Sequence, residues 1–229
     1  MILLTSFYDS GNEQRNAELL ECWRKNAECS AFEKVYRFVE SAGVLVSDDD
    51  RGKTIFVRRV SAAVNDKPPV LTRCTYASYF AYANRTFPAG TIVCLANADI
   101  WFDETLLNIT DAQLDQRTFF ACSRWGFTAH PNGQWYWDDG YDQNAPVAQD
   151  AWIFRTPIEW QGDLDFELGH MRCDNVLAWT MLQSGYRVLN PTLPGPKSLK
   201  LHHEHRSQVH NYGAAVPGPM IFVHPCQLG

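Results

Sequence analysis

The residues best suited to chemistry lie in separated stretches of the chain. Ala96-Asn97-Ala98-Asp99-Ile100 ends an apolar run in two oxygen-bearing side chains. In open α/β sheets ligands gather beyond the carboxyl ends of strands, which puts Asp99 where a metal or a phosphate would bind. An ordinary turn aspartate is the alternative. Further along, Lys200-Leu201-His202-His203-Glu204-His205, with His210 close behind, gathers four of the seven histidines into one segment. Imidazole ligates Mn, Zn or Fe, and on an extended chain His203 and His205 share a face. The spacing does not match the His-Glu-x-x-His helix of zinc proteases, and a polar surface strand is the competing reading.

Arg172-Cys173-Asp174-Asn175 places a carboxylate at an expected helix start. Capping is the ordinary role of such a residue, and the backbone N–H groups there would keep Asp174 ionised. Trp135-Tyr136-Trp137-Asp138-Asp139-Gly140-Tyr141-Asp142 is aromatic yet full of carboxylates, which suits an exposed loop. A sugar ring offers apolar C–H patches edged by hydroxyls, so this loop is a candidate carbohydrate contact, with an aromatic cluster packed under a long loop as the alternative. Arg73 and Glu40 border elements expected to converge on the Asp99 edge, where they could meet a nucleotide. Asp48 to Asp50 reads as a solvated turn, and His130, His170 and His224 show no partner in the sequence.

Composition narrows the classes. With 229 residues, 45% hydrophobic and 20% charged, the chain is of globular type and long enough to bury a core without disulfide or metal staples. Twenty Lys and Arg against 26 Asp and Glu leave a formal charge of −6, so nucleic acid is an unexpected partner. The apolar stretches are strand-length, which predicts no membrane span and a soluble, cytoplasmic protein. Seven scattered cysteines contain no Cys-x-x-Cys pair and are expected reduced and packed.

The elements that must position these residues follow from periodicity. An apolar run at 1–8 reads as a first strand. A helix at 13–29 follows, with Ala17, Leu20, Trp23 and Ala27 as its inner face and its Glu and Arg residues outside. Strands are expected at 35–40 and 54–60, a helix at 75–87, and a buried strand at 91–96. Further strands fit 118–122, 150–154 and 186–189, with a helix at 174–183 stopped by Ser184-Gly185. Alternation of helices with buried strands predicts an α/β sheet. One domain over 1–212 is expected, with 213–229 an irregular tail.

In their order along the chain, these segments resemble the nucleotide-sugar glycosyltransferases of the GT-A fold. Arg73-x-x-Tyr76, Leu95-Ala96-Asn97-Ala98-Asp99-Ile100, Gln149-Asp150-Ala151-Trp152-Ile153-Phe154, Cys173-Asp174-Asn175, Gly185-Tyr186-Arg187-Val188 and His203-x-His205-x-Ser207 carry the resemblance. It extends to the small glycosyltransferase domains of large DNA viruses of algae, including a type regarded as rhamnosyltransferase; a viral protein would work in the host cytoplasm. The resemblance implies a mixed, Rossmann-like central sheet flanked by helices, and transfer of a hexosyl group, rhamnosyl being one option. The donor would be a nucleoside-diphosphate sugar, UDP-linked by first choice, and the acceptor a carbohydrate or glycan hydroxyl.

It also implies roles residue by residue. An Asp-x-Asp motif would hold Mn²⁺ or Mg²⁺ against the donor diphosphate; Asn97 replaces its first acid, leaving Asp99 as the metal-binding carboxylate. His203, with His205 as second choice, would complete the metal site. Asp174 would be the base of an inverting transfer and Asp150 the second candidate. Thr5, Ser6, Phe7, Glu40, Arg73 and Asn97 would border the nucleotide. Trp152, on the acceptor-side strand, joins Trp135, Trp137 and Asp138 as candidate substrate contacts. A carbohydrate- or nucleotide-binding module without turnover and a metal-dependent hydrolase remain the competing classes.

Overall fold

The computed structural model describes the chain except residues 41–51, 59–72, 130–134, 142–146, 208 and 210–212. Asp48 to Asp50, the end of the 54–60 run, His130 and His210 therefore lie outside the described residues.

The first strand, β1 (Ile2–Phe7), is buried along its whole length. It lies between two parallel neighbours, β2 (Lys34–Val39) and β4 (Ile92–Ala96). Burial on both faces explains the unbroken apolar run of β4 and the apolar first half of β1, whereas β2 carries Lys34 and Arg37 among its apolar residues. β3 (Thr54–Arg58) extends the sheet in parallel beside β2. On the other side β9 (Ala151–Arg155) runs antiparallel to both β4 and β6 (Thr118–Cys122), and β10 (Arg187–Leu189) closes that edge. The result is a mixed seven-stranded sheet in the order β10-β6-β9-β4-β1-β2-β3, an α/β architecture as expected.

Helices cover both faces. α2 (Tyr76–Thr86) and α3 (Cys173–Gln183) pack Tyr79, Phe80, Val176, Leu177 and Met181 against the side of the sheet carrying Ile2, Leu4, Val93 and Leu95. α1 (Glu13–Glu28) packs Trp23 on the opposite side, with Leu3, Val35 and Cys94. Thr75 caps α2 by accepting from the Ser78 amide at 3.3 Å. Gly185, with φ 85°, ends α3 where the sequence placed the stop.

The inner face of α1 is Arg15, Glu18, Leu19, Cys22, Trp23, Asn26 and Ala27. This corrects the expected stripe: Ala17 is exposed, while an arginine, a glutamate and an asparagine point inward. Each of these three side chains has hydrogen-bond partners that make its burial tolerable. Asn26, for example, donates to the Ile100 carbonyl at 2.8 Å and accepts from the Phe102 amide at 3.0 Å.

That bond ties α1 to a second sheet that periodicity did not reveal. Its order is β5-β11-β7-β8, formed by β5 (Ile100–Phe102), β11 (Leu201–His203), β7 (Trp125–Ala129) and β8 (Trp135–Tyr141). Trp135, Trp137 and Asp138 therefore lie on a strand paired with β7, and not on the expected loop; their side chains are outside the description. The carboxyl-terminal stretch is irregular and docked. Val216, Val223 and Leu228 are buried, and the Cys226 amide donates to the Asn190 carbonyl at 2.8 Å.

Candidate metal and anion site

β1 is the switch point of the sheet, where the chain order turns from β1-β2-β3 on one side to β4 on the other. Ligand crevices form beyond the carboxyl ends of strands at such points. An open cleft lies there. Ser6, Glu40, Arg73, Asn97, Asp99, Asp150, His203 and His205 all line it. Segments up to 199 residues apart in sequence thus meet at one sheet edge.

Strand register explains the central contact. β5 begins immediately after Asp99 and pairs antiparallel with β11, placing His203 opposite Ile100. The Glu204 amide donates to the Asp99 carbonyl at 2.9 Å, locking the two ends together. His203 Nε2 consequently lies 3.1 Å from Asp99 Oδ2. His205, just past the strand, presents its ring 5.2 Å from that of His203 and donates from Nε2 to the Val209 carbonyl at 3.1 Å. One ligand atom from each of Asp99, His203 and His205 falls within 4.8 Å of the others. His202 points the other way, stacked 3.9 Å from Trp101 and 2.9 Å from Asp103.

The charges of this group are set by its surroundings. Burial works against the Asp99 anion, but His203 and then Arg15 outweigh it and hold the carboxyl far below the usual range. Burial, reinforced by Arg15 and His203, pushes the His205 imidazole down to about 4, so it is neutral and able to ligate. A carboxylate and two imidazoles form a donor set that suits Mn²⁺ better than Mg²⁺, which prefers oxygen.

Asp150 reaches the cleft because β9 runs antiparallel, so its beginning lies where β4 and β6 end. Its carboxylate accepts from Asn97 Nδ2 and Arg124 Nη1, both at 2.7 Å. Asn97 thus orients a carboxylate in place of being one. Asp174 stands behind this wall. It is half-buried, does not line the cleft, and accepts from the Gln149 amide at 2.8 Å. The helix cap position belongs to Arg172, in the left-handed region at φ 68°. Burial raises Asp174 to about 6 against the pull of the Gln149 amide, with Asp150 adding to the rise. The expectation of a strongly ionised helix cap is therefore corrected, because desolvation exceeds the helix-terminal stabilisation.

Elsewhere along the cleft, Glu40 and Arg73 face each other at 3.8 Å. Burial raises Glu40 to about 7, although Arg73 opposes it. Of Thr5, Ser6 and Phe7, Ser6 alone lines the cleft; Thr5 is buried, and the Phe7 ring lies 3.6 Å from the Arg37 guanidinium. Trp152 is corrected outright. It is fully buried, edge-on to Tyr76 with ring centroids 5.1 Å apart, and contacts no part of the cleft. Its neighbour Asp150 faces the cleft because the wall is made by the residue before the strand begins.

Sequence reasoning missed Arg15, Tyr8 and Arg124, all of which line the cleft. Arg124 follows the end of β6, so the strand-end rule that marked Asp99 would have marked it too. Arg15 carries a different signal, the helical spacing it shares with Glu18, Leu19, Cys22 and Asn26. No family model matches the chain, and no curated protein matches it.

Proposed function

We propose that this protein transfers a sugar from a nucleoside-diphosphate donor to a carbohydrate hydroxyl, on a GT-A-type sheet. The observation that carries the reading is the joint placement of Asp99, His203 and His205 in one cleft with Arg15, Arg73 and Asp150, at the β1/β4 switch point. Departure of a nucleoside diphosphate concentrates negative charge on phosphate oxygens, and cations fixed beforehand stabilise that charge most effectively.

In this reading Asp99, His203 and His205 hold Mn²⁺, which supplies Lewis-acid stabilisation of the leaving diphosphate. Arg73 and Glu40 border the nucleoside, and the uridine series is the first choice. Asp150, held from both sides by Asn97 and Arg124, orients the acceptor hydroxyl. Asp174, with a carboxyl raised to about 6, is tuned as the base that takes the acceptor proton near neutral pH. Its place behind the wall requires acceptor or water to reach it past Asp150. An acceptor entering opposite the diphosphate would give inversion.

The test is a panel of UDP-, GDP- and dTDP-sugars with Mn²⁺ and mixed glycan acceptors, read by mass spectrometry. A new glycoside is the expected product. Free sugar released as fast with acceptor as without would identify a hydrolase, and binding of sugars without turnover of any donor would identify a binding module. Either result overturns the transferase reading.

A further inference from the structure

Arg15 is buried on the inner face of α1, yet it is in direct contact with the candidate metal ligand. Its Nη2 donates to Asp99 Oδ2 at 2.5 Å, the same oxygen that His203 Nε2 approaches. Nη1 donates to Glu18 at 3.1 Å and to the Glu204 carbonyl at 2.8 Å. Glu18 is fixed in turn by the Ser207 amide at 2.6 Å and hydroxyl at 2.8 Å. The guanidinium is therefore held from three directions and does not depend on Asp99 alone for its position. Its Nε is buried without a hydrogen-bond partner, and the residue lines the cleft.

A fixed cation on the ligand oxygen acts with opposite sign on the two ligands of the proposed reaction. It repels a divalent metal and attracts a diphosphate. We propose that Arg15 makes the empty site a diphosphate site first, so that metal is retained only together with the anionic donor. This rests on the transferase reading and assigns the order in which that site is loaded. Between a divalent ion and a guanidinium, a separation on the order of 6 Å would make Coulomb repulsion worth about tenfold in affinity even under full aqueous screening, and more in a partly buried cleft. The same charge strengthens diphosphate binding by a comparable factor.

The experiment uses the full chain with two probes. Mn²⁺ alone is followed by the spectrum of the free aquo ion in electron paramagnetic resonance. Inorganic pyrophosphate in the presence of a chelator is followed by calorimetry. Arg15→Gln is expected to tighten Mn²⁺ at least tenfold and to weaken pyrophosphate at least tenfold. Arg15→Lys, which keeps the charge, should leave the wild-type order of affinities. A residue serving only to hold the fold would weaken both probes together, and that result overturns the proposal. If Arg15→Gln does not fold, the wild-type protein decides: Mn²⁺ alone binding more tightly than metal-free pyrophosphate overturns it, and the reverse order supports it. Binding of neither probe, singly or together, would overturn the transferase reading as well, whereas binding of both with the wrong dependence on Arg15 would overturn only this inference.

Discussion

Replacing Asp174 by Asn should make the protein more stable at neutral pH while it loses turnover. Burial raises the carboxyl from 3.8 to about 6. The folded state therefore binds a proton more tightly than the unfolded state, and stability falls as pH climbs from about 4 through about 6. At 1.36 kcal/mol per pKa unit, the full cost of keeping Asp174 ionised above pH 6 is about 3 kcal/mol. Partial solvation of this half-buried side chain reduces that to about 1.5 kcal/mol. Asn retains an oxygen to accept from the Gln149 amide but carries no charge to desolvate. For a chain of this size the gain corresponds to a rise in Tm of roughly 3–6 °C at pH 7.5. Calorimetric melts of both proteins from pH 4 to 8 should show the gap opening with pH and closing near pH 4. In parallel, kcat should fall by about 10²–10⁴-fold if Asp174 is the base, with donor affinity retained. A Tm difference that stays constant with pH would refute the desolvation argument. Unchanged kcat would remove Asp174 from catalysis, leaving Asp150.

Two other substitutions probe the cleft and its foundation. Asp99→Ala should abolish Mn²⁺-dependent nucleotide stabilisation in thermal melts. It should also cost about 1.5–3 kcal/mol of stability, because the Arg15 cation keeps Glu18 but loses its closest charged hydrogen-bond partner; a variant that kept its Mn²⁺-dependent stabilisation would exclude Asp99 as the metal carboxylate. Trp152→Ala should cost about 3–5 kcal/mol in denaturant unfolding, as expected for emptying a core tryptophan site, while nucleotide affinity of the folded protein stays unchanged. Loss of affinity at full stability would restore Trp152 as a substrate contact.

The local pattern of the chain was sufficient for most of the main sheet. The apolar runs in β1 and β4 mark strands buried on both faces, and Thr75 and Gly185 mark helix ends, because such signals need only neighbours a few residues away. Asp99, Asp150 and the histidines were also legible, since polar residues at the margins of apolar runs stand out. The short strands Ile100–Phe102 and Leu201–His203 were not legible. At three residues each they carry no periodicity and exist through pairing with each other and with Trp125.

That pairing is what turns candidate residues into a site. Residue types determined which groups could ligate a metal or take a proton. The tertiary structure decided that Asp99 meets His203 and Arg15, that Trp152 faces the core, and that Asp174 is desolvated by the wall in front of it. Charge interaction and desolvation depend on distances across the fold, and no local pattern encodes those distances.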